Sequence, residues 1–295
     1  MQGWRVCLLI AAMLMCAGRT QGAVKPHEQP DWTTPIAPFR IADNLYYVGS
    51  RGLASYLVVT PRGDILINSS LESSPALIQK SVEQLGFRFQ DIKILLISHA
   101  HFDHDAGSAE VKRLTGAKYM VMDADVPVVE TGGAKDFAYP TDLYPAVKVD
   151  RVLHDGDQVQ LGGAVLVTHK TPGHTRGCTT WTMRVMDRGK PENMVIVGSW
   201  NVNPGFRLVD RPGRPASYPG IAADYRRTFV VLKSLPCDVF LGAHGEYFGM
   251  LDKLDRAKAG SVVNVWVDPQ GYQAAVAERE KAFEAELRRQ EAGGN

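Results

Sequence analysis

Seven consecutive residues, Ser98-His99-Ala100-His101-Phe102-Asp103-His104, constrain this chain more than any other feature. They directly follow the short apolar run Lys93-Ile-Leu-Leu-Ile97, which has the character of a buried strand. In extended chain, alternate side chains project to one side, so His99 and His101 can reach a single cation together. Asp103 and His104 come after the strand end, where the chain turns, and can aim at a second point nearby. Imidazole and carboxylate are ordinary zinc ligands, with bonds of about 2.0–2.2 Å. The plainer alternative is a set of unrelated surface or core histidines. It is weakened by the count, because the chain has 8 His and this segment alone holds His99, His101 and His104.

Two further histidines occupy equivalent places. His174 lies in Thr171-Pro-Gly-His-Thr175, just after a predicted strand Val165–His169. His244 lies in Leu241-Gly-Ala-His-Gly245, just after a predicted strand Asp238–Leu241. Taken singly, each reads as a structural histidine. Beside the cluster, all three groups fall at strand ends, where ligands gather into a rigid site open to solvent. His27, His154 and His169 lack this context and read as arm, turn and strand-face residues.

The rest of the chain alternates strands with helices. Leu45–Val48, Ser55–Thr60 and Asp64–Ile67 read as strands. Ser74-Pro75 opens a helix, with Ser74 as cap, carrying Ile78, Val82 and Leu85 and ended by Gly86. Ala106–Leu114 reads as a helix, Tyr119–Met122 as a strand and Asp125–Glu130 as a short helix. Arg151–Leu153, Gln158–Leu161, Thr179–Val185 and Met194–Val197 are further strands. Ile221–Leu235 is helical, and Gln273–Gln290 is a charged terminal helix whose alternating charges suggest a solvated face. Segments 131–148 and 204–219 are Gly/Pro-rich loops. With no repeat and no low-complexity linker, residues 37–295 read as one α/β domain behind an extended arm, 23–36.

The N-terminus has the form of an export signal: a basic start, an apolar run Val6–Ala17 and a small-residue exit near Gly22. An uncleaved anchor is the alternative, but the run is short for a bilayer span. Removal of residues 1–22 implies a secreted or periplasmic protein with no membrane association, expected to be a monomer. Cys178 and Cys237 then remain, either as a disulfide or as two separate thiols. A net charge of +1 gives no global pull toward nucleic acid.

The stretch 99–104 resembles the HxHxDH signature of the metallo-β-lactamase superfamily, and the Pro-Gly-His and Gly-Ala-His segments resemble its later ligand positions. The resemblance covers roughly residues 36–250. It implies an αβ/βα sandwich, two facing sheets with helices outside and a two-zinc site along one edge. It also implies that His99, His101 and His174 hold the first zinc, and Asp103, His104 and His244 the second.

Other hydrolases of the superfamily, such as glyoxalase II and the lactonases, carry a Gly-Asp whose carboxylate bridges the metals. Here the place reads Val197-Gly198-Ser199. The first subclass of class B β-lactamases has Cys there; the third has Ser, with a histidine such as His104 supplying the missing contact. Asn44-Leu-Tyr-Tyr-Val-Gly49, Thr171–Gly177 and Ala223-Asp-Tyr-Arg226 also resemble the third subclass. The resemblance therefore implies hydrolysis of β-lactam antibiotics, and so antibiotic resistance. The nucleophile would be a metal-bound hydroxide oriented by Asp103, with no covalent acyl-enzyme. Ser199 would hydrogen-bond the substrate carboxylate, or else simply fill a strand end. A lactonase or thioesterase on the same scaffold is the alternative. A binding protein with a decayed site is disfavoured because all six ligands are present. Two departures bear on the site. Asn68 stands where the family usually has Asp, which predicts weaker binding at the second zinc. Trp200 is bulky and either lines the pocket or turns into the core.

Overall fold

Period-two burial organises the first sheet. In the strand Asp64–Ile67, Ile65 and Ile67 point into one apolar cluster and Leu66 into another. Both faces are therefore covered, and the run is apolar throughout. In the computed structural model, which describes residues 28–261 and 263–293, this sheet has seven strands in sequence order. They are β1 (Phe39–Ala42), β2 (Leu45–Tyr47), β3 (Tyr56–Val58), β4 (Asp64–Ile67), β5 (Ile92–Leu96), β6 (Lys118–Met122) and β7 (Arg151–Leu153). Pairing is antiparallel from β1 to β4 and parallel from β4 to β7. The second sheet runs β12-β11-β10-β9-β8, with β8 (Gln158–Leu161), β9 (Ala164–Lys170), β10 (Thr179–Asp187), β11 (Lys190–Val197) and β12 (Val239–Gly242). It is an antiparallel meander with β12 added in parallel.

The two sheets face each other across one core, where Tyr47, Ile65 and Leu96 meet Trp181, Met183 and Ile196. Helices α1 (Pro75–Gln84) and α3 (Ser108–Thr115) cover the outer face of the first sheet through Ile78, Val82 and Val111. Between them in sequence lies α2 (Phe102–Asp105), a single turn that follows β5. Beyond β6 comes another short turn, α4 (Val126–Val129). Helix α5 (Ile221–Ser234) packs with the terminal α7 (Pro269–Glu291), and Tyr225 and Phe283 stack at 5.2 Å between ring centroids. The expected αβ/βα sandwich is the observed architecture.

Several local expectations need correction. The hydroxyl of Ser74 does not cap α1; it accepts from Leu71 N at 3.1 Å, in the turn before the helix. Helix α7 is more than a solvated face, since Tyr272, Val276, Phe283 and Leu287 are buried along it. Strand β1 and helix α6 (Met250–Lys258) were not anticipated. The arm is not simply extended. Pro30–Trp32 forms a turn, and Gly52 N donates to Asp31 O at 2.9 Å, which folds the arm back over the domain. The export signal, residues 1–22, and residues 23–27 lie outside the described residues. Among the described residues, no helix is long and apolar enough to cross a membrane. Cys178 and Cys237 are separate thiols, and burial raises both.

Asp64, at the start of β4, is buried, and its Oδ1 accepts from Thr60 N at 3.3 Å. Burial lifts its carboxyl from 3.8 to about 6, against the opposing pull of that hydrogen bond. A pKa raised by folding favours the protonated native form, so stability is fullest below the unfolded value and is lost as pH rises through about 6. Asp64→Asn is expected to be more stable than the wild type at pH 7.5, by roughly 1 kcal/mol or more. The gain should be absent at low pH. Urea midpoints at pH 4.5 and 7.5 test this, and a gain of equal size at both would refute it.

Candidate metal centre

Each group of candidate ligands leaves a strand end on the same edge of the sandwich. Strand β5 runs out through Ser98 into His99 and His101, and α2 turns Asp103 and His104 back over them. His174 follows β9 and His244 follows β12. The structure brings all six together. His99, His101 and His174 offer nitrogens within 4.8 Å of one another, with ring centroids 4.6–4.9 Å apart. A second trio is tighter. Asp103 Oδ2 lies 3.3 Å from His104 Nε2 and 3.4 Å from His244 Nε2, and the two nitrogens are 3.1 Å apart. Donors on a tetrahedral ion with bonds of about 2.0–2.1 Å stand roughly 3.3 Å apart. Asp103 and His104 also lie within 4.8 Å of a His99 nitrogen, so the two cages adjoin.

The donors are in the form that binds cations. Burial, reinforced by neighbouring rings, lowers His101 to about 4 and His174 and His244 to about 3, and pushes His99 well down. These rings are neutral at neutral pH, with lone pairs available. Burial alone would raise Asp103, but His104, by charge and hydrogen bond, with His244 and His101, holds it below the usual carboxylate range. Both nitrogens of His99 are buried with no hydrogen-bond partner. Orphaned polar atoms of this kind are uncommon without a missing partner, and a divalent cation supplies one.

Several functional side chains had no mark in the sequence. Asp125 is buried and ties two ligand loops together: Oδ2 accepts from Ala100 N at 3.0 Å and Thr175 Oγ1 at 2.8 Å, and Oδ1 from Gly177 N at 2.8 Å. Gly177 permits this, since a Cβ there would sit 2.6 Å from the Asp125 carboxyl carbon. Asp136, in the 131–148 loop, places Oδ2 3.4 Å from His101 Nε2, leaving Nδ1 of that ring for a cation. His174 Nδ1 meets Asn201 O at 2.9 Å, which leaves its Nε2. The only advance signal for Asp136 was its place in a loop beside the expected site.

Ser199, Asn68 and Trp200 also have definite places. Ser199 is 1% exposed at the end of β11, and its hydroxyl is 3.0 Å from Tyr247 OH. Tyr247, not Ser199, lines the cleft over the cages. Asn68 adopts a left-handed backbone, φ 65°, which Asn tolerates. It accepts from Ser98 N at 2.7 Å and donates to Ala54 O at 3.1 Å. It therefore braces the residue before His99. An aspartate here would set a carboxylate oxygen against the Ala54 carbonyl. Trp200 turns into the core, its ring beside Phe240 and Tyr247. His154 and His169 lie apart from the cages, as expected: His154 is exposed near Asp157, and His169 pairs with Thr182 on the second sheet. His27 is outside the described residues.

The cleft has a volume of about 730 Å³ and is walled by Trp32 of the arm, Tyr139, Asn203, Pro204 and Tyr247. Trp32 stands 5.8 Å from the His244 ring and Tyr139 5.0 Å from the His101 ring.

Known proteins resemble this chain in sequence and fold. A family model described as the metallo-beta-lactamase superfamily matches residues 50–244. The native FEZ-1 metallo-beta-lactamase from Legionella gormanii is 53% identical, with a TM-score of 0.85 over 88% of this chain and 98% of that one. BJP-1, a subclass B3 metallo-beta-lactamase of Bradyrhizobium japonicum, is 38% identical, with a TM-score of 0.80 over 89% of this chain and 98% of that one. A hydroxyacylglutathione hydrolase of Methylobacterium nodulans is 33% identical over 104 residues, 35% of this chain. The chain spans only 33% of the length of that curated relative. Sheet order, strand-end ligands and these likenesses agree: the chain belongs to the metallo-beta-lactamase superfamily.

Proposed function

We propose that this chain hydrolyses the amide bond of β-lactam antibiotics with two zinc ions, one held by His99, His101 and His174 and the other by Asp103, His104 and His244. The observation that carries the reading is the ligand pattern itself: two adjoining cages with Ser199, not a bridging carboxylate, beside them. It is supported by the 53% identity to FEZ-1 across nearly all of that enzyme.

When bound, zinc supplies Lewis acidity, bringing the pKa of a water to about 7 and polarising a carbonyl oxygen. The chain's own residues supply position and charge. Asp103, acceptor-only and held between His104 and His244, would accept a hydrogen bond from the attacking water and so orient its lone pair toward the lactam carbonyl. The ligand set contributes one formal negative charge against the four positive charges of two divalent ions. That excess attracts the carboxylate that β-lactam antibiotics carry. Tyr247 lines the cleft, its hydroxyl hydrogen-bonded to Ser199 Oγ at 3.0 Å and to Asn201 Nδ2 at 3.1 Å. The substrate contact expected of Ser199 thus passes to Tyr247. The hydroxyl of Ser199 meets the phenol of Tyr247 and not a general base, which supports a reaction without a covalent acyl-enzyme. A cleft of 730 Å³ is of the size that takes a bicyclic drug-sized molecule.

The second reading is a thioesterase or lactonase, as the match to a hydroxyacylglutathione hydrolase suggests. The serine at position 199 argues against it. A chromogenic cephalosporin, an acyl-homoserine lactone and a glutathione thioester, each tested with and without chelator, separate the readings. Chelator-sensitive turnover of the cephalosporin alone is expected, and turnover of only the lactone or thioester would overturn the assignment. Export to the periplasm, a monomeric state and a role in antibiotic resistance complete the proposal.

A further inference from the structure

Behind the metal cleft lies a second cavity, of about 520 Å³, between the 204–219 loop and α7. Arg207, Arg211, Arg214, Arg279 and Arg289 line it, against the single carboxylate of Glu286. Arg289 is engaged with that carboxylate at 2.6–2.7 Å. Arg207 Nε donates to Pro215 O at 2.6 Å, and Arg211 holds the final carbonyls of α7 at Gln290 and Glu291. These bonds fix two guanidinium groups in place while leaving each with further N–H donors. The half-buried Arg279 makes no hydrogen bond or ion pair among the described residues. Phe206 and Phe283 add aromatic surface among the arginines, Phe283 one helical turn from Arg279 on α7. A cavity lined by both fixed cations and aromatic rings selects an anion with an apolar body.

The cavity also backs directly onto the first cage. Trp200, Asn201 and Phe206 form part of its wall. Asn201 O accepts from His174, and the Phe206 ring is 5.9 Å from the His174 ring. The metal cleft shares Asn201, Asn203 and Pro204 with it, so the two spaces adjoin along one segment of chain.

We propose that this arginine-lined cavity is a second ligand site, taking a small organic anion with an aromatic or aliphatic body and distinct from the cleft over the metal cages. The test is calorimetric titration of the zinc-loaded full chain with 2-naphthalenesulfonate. Sodium sulfate serves as the anion without a body, and 2-naphthalenemethanol as the body without charge. One molecule of the sulfonate should bind per chain, at least tenfold more tightly than either control. Arg279→Gln and Arg279→Glu should weaken it by about tenfold and by more than tenfold, with cephalosporin hydrolysis unchanged. Should the glutamate variant lose stability, the glutamine variant carries the test. Unaltered affinity in both variants, or strictly competitive inhibition of hydrolysis by the sulfonate, would overturn the proposal, because either result assigns the anion elsewhere. A sulfonate bound no better than sulfate or the alcohol would overturn it equally.

Discussion

With asparagine in place of Asp103, cephalosporin hydrolysis is expected to fall by at least about a hundredfold while the fold is retained. Asp103 is the one anion in the six-residue ligand set, and its Oδ2 forms a corner of the tightest donor triangle, 3.3 and 3.4 Å from two imidazole nitrogens. A carboxamide has nearly the same shape, so α2 and the packing of the buried loop should survive. It lacks the charge that draws a cation between His104 and His244, and its nitrogen cannot accept a hydrogen bond from water. Two effects should therefore appear together: lower metal content after dialysis, and a lower kcat in protein reloaded with excess zinc. Far-ultraviolet dichroism and the thermal midpoint report on folding. Wild-type kcat in reloaded Asp103→Asn would remove Asp103 from the role of orienting the nucleophile. Full activity with wild-type metal content would dismiss the second cage altogether.

The ligands were legible because their position is a consequence of backbone form. A strand that ends at a sheet edge delivers its last side chains to that edge, and β5, β9 and β12 are marked by apolar runs that end just before His99, His174 and His244. The groups that brace those ligands carry no such mark. Asp125 and Asp136 are single aspartates in loop and turn, and their importance depends on Ala100, Gly177 and His101, up to 52 residues away in sequence. The same limit explains β1, Phe39-Arg-Ile-Ala42, which forms no continuous apolar run. It explains α7 as well, where the buried residues are diluted by charges on the other three sides of the helix. Asn68 shows the opposite failure. Against a family habit of Asp, it reads as a lost charge. In place, it is a neutral brace whose amide needs both its donor and its acceptor, and its hydrogen bonds run to Ser98 and Ala54 and not to the second cage.

The second large effect is expected at Asp125, which touches neither cation nor substrate. Its carboxylate accepts three hydrogen bonds, one from the β5 side of the site and two from the His174 loop, so it fixes the separation of the elements carrying His99, His101 and His174. Burial raises its pKa to about 6, against the lowering effect of Thr175, Gly177 and Ala100, so at pH 7.5 it is mostly ionised and can accept from all three. Asparagine offers one acceptor oxygen and one amide group. Whichever way it turns, a donor faces a donor, at Gly177 N or at Ala100 N. Gly177 cannot retreat cheaply, because its backbone already lies against Asp125. A misplaced outer partner of this kind typically costs about 10- to 100-fold in metal affinity. A buried donor left unpaired costs about 1–3 kcal/mol of stability. Asp125→Asn should therefore lose zinc from the three-histidine cage at chelator concentrations that the wild type withstands. Its cobalt-substituted spectrum should change in intensity, reporting altered ligand geometry, whereas a purely structural defect would lower the melting temperature and leave the spectrum of the folded protein as it was. Because the carboxylate acts through geometry and not through reaction with substrate, saturating zinc should restore much of the kcat. A variant that melts early yet keeps wild-type zinc affinity and an unchanged cobalt spectrum would show that Asp125 holds the fold together without setting the cage.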